Sequence, residues 1–259
     1  MITQKNADNL CKGKELSGEQ LKEVELNILR EIKYVCDKCN LKFFLCGGTL
    51  LGAIRHNGFI PWDDDIDIYM PREDYCKFMT LFNEHSCNEY KFLCMENSPV
   101  YCLPFGKVVC TKTSLFETQV QSTPGMGVYV DVFPLDGLGD SLDEAKRIIS
   151  KCGQYRLLLG LAMSKKKRAT PINVFKNLIC KALFLGRRII YSKYLRMSAK
   201  NNFETSKYRN IGIDMLFKQG KPIGIVKSTA YNFKITTQID VDIFESVLRL
   251  GFDNVIQTK

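Results

Sequence analysis

Histidine is almost absent. His56 and His85 are the only two in 259 residues, too few for a histidine metal centre, and tryptophan occurs once, at Trp62. No stretch of membrane-spanning length is free of charge, and no charged-then-apolar signal pattern stands at the start of the sequence. A cytosolic protein is the expectation, neither secreted nor membrane-spanning. Acid is missing where base is plentiful. There is no Asp or Glu between Glu144 and Glu204, while Lys146 to Lys200 carries 15 Lys and Arg. The remainder holds 22 bases against 28 acids, so the net charge of +9 originates in that one region. Cysteine is plentiful, with eleven residues scattered through apolar segments. Without a secretory signal these suit reduced core thiols better than a disulfide framework. No internal repeat appears, and 45% hydrophobic with 25% charged residues is the composition of an ordinary globular chain.

The most informative stretch runs from Cys46 to Met70, CGGTLLGAIRHNGFIPWDDDIDIYM. Asp63, Asp64, Asp65 and Asp67 lead into Ile66, Ile68 and Tyr69, which favour β structure. On a strand, side chains alternate, so Asp65 and Asp67 are expected on one face with Ile66, Ile68 and Asp64 on the other. Two adjacent carboxylates repel unless a cation neutralises them, and hard oxygen ligands favour a divalent ion such as magnesium. Upstream, Phe43 to Cys46 reads as a strand, Gly47-Gly48-Thr49 as a turn and Thr49 to His56 as a helix. Glycines let a ligand approach the backbone, and the open amides of a helix N-terminus favour phosphate. Tight-turn geometry alone would also call for glycine. Arg55 can fork onto a diphosphate or pair with the aspartate run. Trp62 can stack on a base or cap the core beside Pro61, and the core position is the expectation.

The stretch GGTLLGAIRHNGFIPWDDDIDIYMPREDY closely resembles the signature of the LicD family, part of the nucleotidyltransferase-fold superfamily. The resemblance covers about residues 17–139. It implies an α/β (α+β) fold, a nucleotidyltransferase-like mixed sheet flanked by helices, with a helical C-terminal part. It also implies a small-residue turn (Gly47, Gly48, Thr49) for phosphate, an acidic D-x-D strand (Asp65, Asp67) and a third carboxylate on a later strand. VYVDVFPLDGL matches the segment that supplies the last, and assigns it to Asp131, with Asp136 as a turn residue. By its own chemistry, a carboxylate in mid-strand must pair with a base or bind a cation. Lys107, in FGKVVCTKTSLFE, has a phosphate-binding reading beside that of a surface lysine. The family segment continues with an arginine and an aspartate, where Val109 and Cys110 stand here.

Elsewhere, Ser17 to Gln20 fits a capping box, and Leu21, Val24, Ile28, Ile32, Val35, Cys36 and Cys39 recur at helical spacing. Cys36 and Cys39 spell C-x-x-C, but both fall on the apolar stripe, and a core role is expected. Pro71 opens a helix to about Asn83 that buries Tyr75, Phe78, Met79 and Phe82. Strands are expected at 90–95, 103–110 and 127–133. A further helix starts at Thr170-Pro171. Phe175, Leu178, Ile179, Ala182, Leu183, Gly186, Ile189 and Ile190 lie on one side of it, and Lys176, Lys181, Arg187 and Arg188 opposite. For this helix alone the expectation is an apolar face packed on the core and a solvated basic face. With Lys165 to Arg168 added, attraction to anionic lipid or glycan becomes a second reading. The segments at 233–236 and 240–250, and LGFDN, resemble only loosely the closing elements of the family.

The expected organisation is a loose N-terminus at 1–16, a catalytic core at 17–139 and a mostly helical basic region with a closing segment at 140–259. The resemblance implies a magnesium- or manganese-dependent transferase. It would move a phospho-alcohol, phosphocholine foremost, from a CDP-linked donor to a hydroxyl of a cell-surface glycan or glycolipid precursor. Asp65, Asp67 and Asp131 would hold the metal and serve catalysis, while Gly47, Gly48, Thr49, Arg55 and Lys107 would contact phosphate. Two alternatives remain: transfer of an NMP from an NTP, and a basic adaptor for membrane or another polyanion. No nucleic-acid motif accompanies the charge. The expected location is the cytoplasm, with peripheral contact at the inner face of the membrane as an extension of that reading.

Overall fold

The computed structural model describes residues 15–115, 123–164 and 171–209. Helix α1, Gly18–Cys39, begins at the expected capping box: the Ser17 side chain accepts from the Gln20 amide, and the Gln20 side chain accepts from the Ser17 amide. It ends at Asn40 in the left-handed region, φ 52°, whose amide donates to the Cys36 and Asp37 carbonyls. Strand β1 (Phe44–Leu45), helix α2 (Gly47–His56), strand β2 (Asp67–Pro71) and helix α3 (Arg72–His85) follow. Next come β3 (Tyr90–Leu93), β4 (Gly106–Cys110), β5 (Tyr129–Leu135) and β6 (Gly137–Gly139). Helices α4 (Leu142–Ala162) and α5 (Pro171–Ser198) and strand β7 (Tyr208–Arg209) complete the described chain. Among the described residues no helix is long and apolar enough to cross a membrane.

The main sheet has the order β1-β2-β5-β4-β3 and is mixed, with β2 and β5 parallel and the other pairs antiparallel. One face is apolar because alternation puts Ile66, Ile68, Met70, Val130, Val132 and Val108 on that side. There they meet Ile28, Ile32, Val35 and Cys36 of α1 and Tyr75, Phe78 and Phe82 of α3 in one core. Cys36 is buried within it, and burial, followed by the neighbouring Asp37, pushes its thiol up to about 12. An un-ionised, unpaired thiol on the stripe is the core residue expected of this C-x-x-C. The opposite face carries Asp67, Asp131 and Lys107, and that polarity positions the site.

A second core joins Met95, Tyr101 and Leu138 to Ala145, Ile148, Ile149, Cys152 and Leu159 of α4 and to Tyr191 and Tyr194 of α5. Only the C-terminal half of α5 contributes to it. The expectation that the apolar stripe of this helix packs inward is overturned. Phe175, Leu178 and Ile189 are exposed, whereas Tyr191 and Tyr194, at the end of the helix, are buried. Arg187 is not on a free basic face either. Its Nη1 donates to the Phe184 carbonyl at 2.6 Å, its Nη2 donates to the Pro99 carbonyl, and its guanidinium lies 4.1 Å from the Phe184 ring centroid. The segments at 233–236 and 240–250, LGFDN, Lys165 to Arg168 and residues 1–14 lie outside the described residues.

Candidate functional site

The site begins where the chain turns from β1 into α2. Cys46 is extended, and Gly47 then enters the helix at φ +55°, which glycine adopts without the strain a Cβ would bring. The first turn is stitched to the first residue of β2: the Cys46 amide donates to the Asp67 carbonyl at 3.1 Å, and the Asp67 amide donates to Thr49 Oγ1 at 2.8 Å. Thr49 therefore fastens helix to strand. Helix α2 includes the glycines expected in a turn, so its N-terminus, with no side chain capping it, is formed by Gly47, Gly48 and Thr49. Carboxylates crowd this end. A methyl group added to Gly48 would lie 2.0 Å from Asp63 Oδ2, and one added to Gly47 would lie 3.5 Å from Asp67 Oδ2. Asp63, given no role in the sequence, thus rests on the helix terminus.

Strand register supplies the rest. Asp67 is directly opposite Asp131 on β5, and Asp131 is directly opposite Lys107 on β4, so three ionisable side chains form a row across the sheet. Lys107 Nζ donates to Asp131 Oδ1 at 2.5 Å and sits 3.3 Å from the Tyr129 ring centroid. The surface-lysine reading of Lys107 is overturned, because this residue is buried. Asp131 is thus paired with a base.

Asp65 departs from expectation in its setting. The strand starts at Asp67, not at the aspartate run, because Asp63 donates its amide to the Ile60 carbonyl in a turn that takes up the preceding residues. Asp65 lies in the connecting segment, exposed, two residues before the strand. It nevertheless acts on the same place as the other two. Burial pushes the Cys46 thiol well above its usual range, and Asp67, Asp131 and Asp65 each add to that rise. Asp67 and Asp131 stand opposite each other in register, with Asp65 two residues before the strand, and such carboxylates are the hard, anionic donors a divalent cation takes, so the residues fit such an ion in charge and chemistry. Among the described residues no three His, Cys, Asp or Glu side chains are already gathered into a metal-holding group.

Glu25 of α1 belongs to the same acidic neighbourhood. It is only 4% exposed, and its Oε2 has no hydrogen-bond partner. Burial first, then Asp65, Asp64 and Asp63, raise its carboxyl to about 8, with Lys22 opposing. The folded protein therefore holds a proton that the unfolded chain releases near pH 4.5, so this group's contribution is full below that pH. It declines as pH rises and is gone above about 8. Glu25→Gln should remove this slope. In thermal melts without divalent ions, the variant should match wild type at pH 4.5 and exceed it by roughly 5–10 °C at the alkaline end. A parallel pH profile for the two proteins would show that Glu25 is not the group responsible.

Trp62 is 74% exposed, against the expected core position, because the Ile60–Asp63 turn sends the indole outward and leaves Ile60 to fill the core. Arg55, at the far end of α2, donates from Nε to His56 Nδ1 at 3.3 Å. Asp136 is not a simple turn residue. It is buried, accepting from Arg72 Nε and Nη2 at 2.7 and 2.8 Å.

Comparison with known proteins converges on this segment. Residues 40–145 match the family model described as LicD/FKTN/FKRP, nucleotidyltransferase domain. The chain is 33% identical over 156 residues to the lipopolysaccharide cholinephosphotransferase LicD of Haemophilus influenzae, across 60% of this chain and 57% of that protein. It is 42% identical over 45 residues to the human ribitol 5-phosphate transferase FKRP, across 17% of this chain and 9% of that protein. The chain thus spans little more than half the length of the first relative and a small part of the second.

Proposed function

We propose, from the LicD-type domain at residues 40–145 as premise, that this protein transfers a phospho-alcohol, phosphocholine in the first instance, from a CDP-linked donor to a hydroxyl of a surface-glycan precursor such as lipopolysaccharide. The observation that carries the reading is the row Asp67–Asp131–Lys107 set beside the N-terminus of α2. The acceptor oxygen bonds to the phosphorus that carries choline, the P–O bond of the diphosphate breaks, and CMP leaves with the electron pair. Asp131 is the assigned acceptor of the hydroxyl proton. Gly47, Gly48 and Thr49 supply amides to phosphate oxygens, and Lys107 balances charge beside Asp131. Arg55, at the opposite end of α2 from these amides, is left without an assigned role, and the exposed indole of Trp62 offers a face to the cytosine base or to a quaternary ammonium.

Asp65, Asp67 and Asp131 are the residues that would hold a magnesium or manganese ion. When bound, such an ion supplies charge neutralisation at the diphosphate. The test is product analysis. The protein is incubated with CDP-choline and other CDP-alcohols, with and without magnesium, and a glycan acceptor. CMP released in step with phosphocholine on the acceptor is the expected result. Pyrophosphate released from an NTP would instead assign nucleotidyl transfer. The place assigned to the protein in this reading is the cytoplasm, with peripheral contact at the inner face of the cell membrane.

A further inference from the structure

Helix α5 carries a stripe that the described residues leave uncovered. Phe175, Leu178, Ala182, Leu185 and Ile189 recur at intervals of three and four, so they form one line along the helix. The line is about 21 Å long at 1.5 Å per residue. Phe175 is 66% exposed, Leu178 62%, Leu185 71% and Ile189 66%. A monomeric protein rarely shows water a continuous apolar strip of this kind without using it.

The helix cannot turn to hide it, because its other side is committed. Tyr191 and Tyr194 are buried in the second core, Tyr191 Oη donates to Glu96 Oε1 at 2.6 Å, and Arg187 ties the middle of the helix to the Pro99 carbonyl. Stripe and anchor are opposite faces of one fixed helix. On α4, to which α5 packs, Leu157 and Leu161 are exposed as well.

Charge identifies the occupant. Lys176, Lys181, Arg188 and Lys193, all exposed, line the same helix, and no acidic residue occurs anywhere from 145 to 203. A second copy of the chain laid on this face would bring two wholly basic surfaces together with no carboxylate to pair them. A surface that is apolar beneath and anionic above satisfies both features. We propose that the α4–α5 hairpin is an interfacial membrane anchor. The Phe175–Ile189 stripe enters the headgroup region of an anionic bilayer, and Lys181, Arg188 and Lys193 beside it meet lipid phosphates. This goes beyond the transfer reading and stands without it, since it rests on no residue of the row Asp67–Asp131–Lys107.

The experiment is flotation of the full chain with vesicles of phosphatidylcholine, with and without phosphatidylglycerol, at low and high salt. Wild type should float with the anionic vesicles alone and be released by salt. Leu178→Asn with Leu185→Asn should lower the bound fraction by at least roughly tenfold, from the loss of apolar burial. Lys181→Gln with Arg188→Gln should lower it by about tenfold through charge. Circular dichroism and thermal melts should match wild type, and transfer to a soluble acceptor should be unchanged in both variants. That last readout separates failure of this proposal from failure of the transfer reading. Absence of flotation, as when residues 210–259 or a second copy cover the stripe, would overturn the proposal. So would flotation that the leucine variant leaves intact, or a wild-type dimer that the leucine variant dissociates.

Discussion

Asp67→Asn and Asp131→Asn should each lower kcat for the proposed phosphocholine transfer by roughly 10²–10³-fold, the loss that follows removal of one pre-placed electrostatic partner. The two residues face each other across the parallel β2–β5 pair. They are expected to act as one unit, so the double variant should be little slower than either single one. Asp64→Asn is the control, since Asp64 is exposed in the segment before the strand. Stability should split the pair. In Asp131→Asn the buried Lys107 ammonium loses the carboxylate 2.5 Å away, and breaking a buried ion pair on one side costs about 3–5 kcal/mol. In Asp67→Asn the change should stay within about 1 kcal/mol. Adding Lys107→Met to Asp131→Asn removes the orphaned charge and should recover much of the stability without restoring turnover. Should Asp64→Asn abolish transfer while Asp131→Asn retains it, the row is not the catalytic centre.

The sheet and the carboxylate row were legible to different depths. Period-two alternation in VYVDVF put Val130 and Val132 in the core and Asp131 opposite, and the strand folds accordingly. The capping box at Ser17 fixed the start of α1 for the same local reason. Lys107 escaped because its partner is 24 residues away and is defined by register, which alternation within one strand does not encode. Glu25 left a readable trace. It lies four residues after Leu21 and three before Ile28, on the apolar stripe itself, and a carboxylate there has to be explained. Trp62 and Asp63 could not be placed from pattern, because the Ile60–Asp63 turn decides where both side chains go. For α5 the periodicity was correct and the inference from it was not. An apolar stripe shows that a face will be buried against something, and nothing in the period says that the something is the protein's own core.

Arg72→Met should destabilise about as much as Asp131→Asn, and its effect should reach the site. The bidentate pair with Asp136 is nearly inaccessible to water. Burial opposes the guanidinium charge, but the hydrogen bonds and attraction from Asp136 more than offset it, leaving the Arg72 pKa above its usual value. Removing the arginine strands a buried carboxylate, at a cost of about 3–5 kcal/mol, on the order of 10 °C in Tm. Arg72→Lys should fall between, since an ammonium cannot reproduce the fork. Position gives the pair its wider consequence. The aligned register of β2 and β5 ends at Pro71 opposite Leu135, and Arg72, which opens α3, and Asp136 are the residues that immediately follow the two strands. The same register, four residues earlier, sets Asp67 against Asp131. A loosened lock should therefore lower kcat for the proposed transfer at temperatures where the variant is still folded. Arg72→Met with Asp136→Leu should restore much of the melting temperature by replacing the ion pair with apolar contact. If that double variant also restores kcat, the pair serves register alone. If Arg72→Met melts like wild type, the pair does not hold the two strands together.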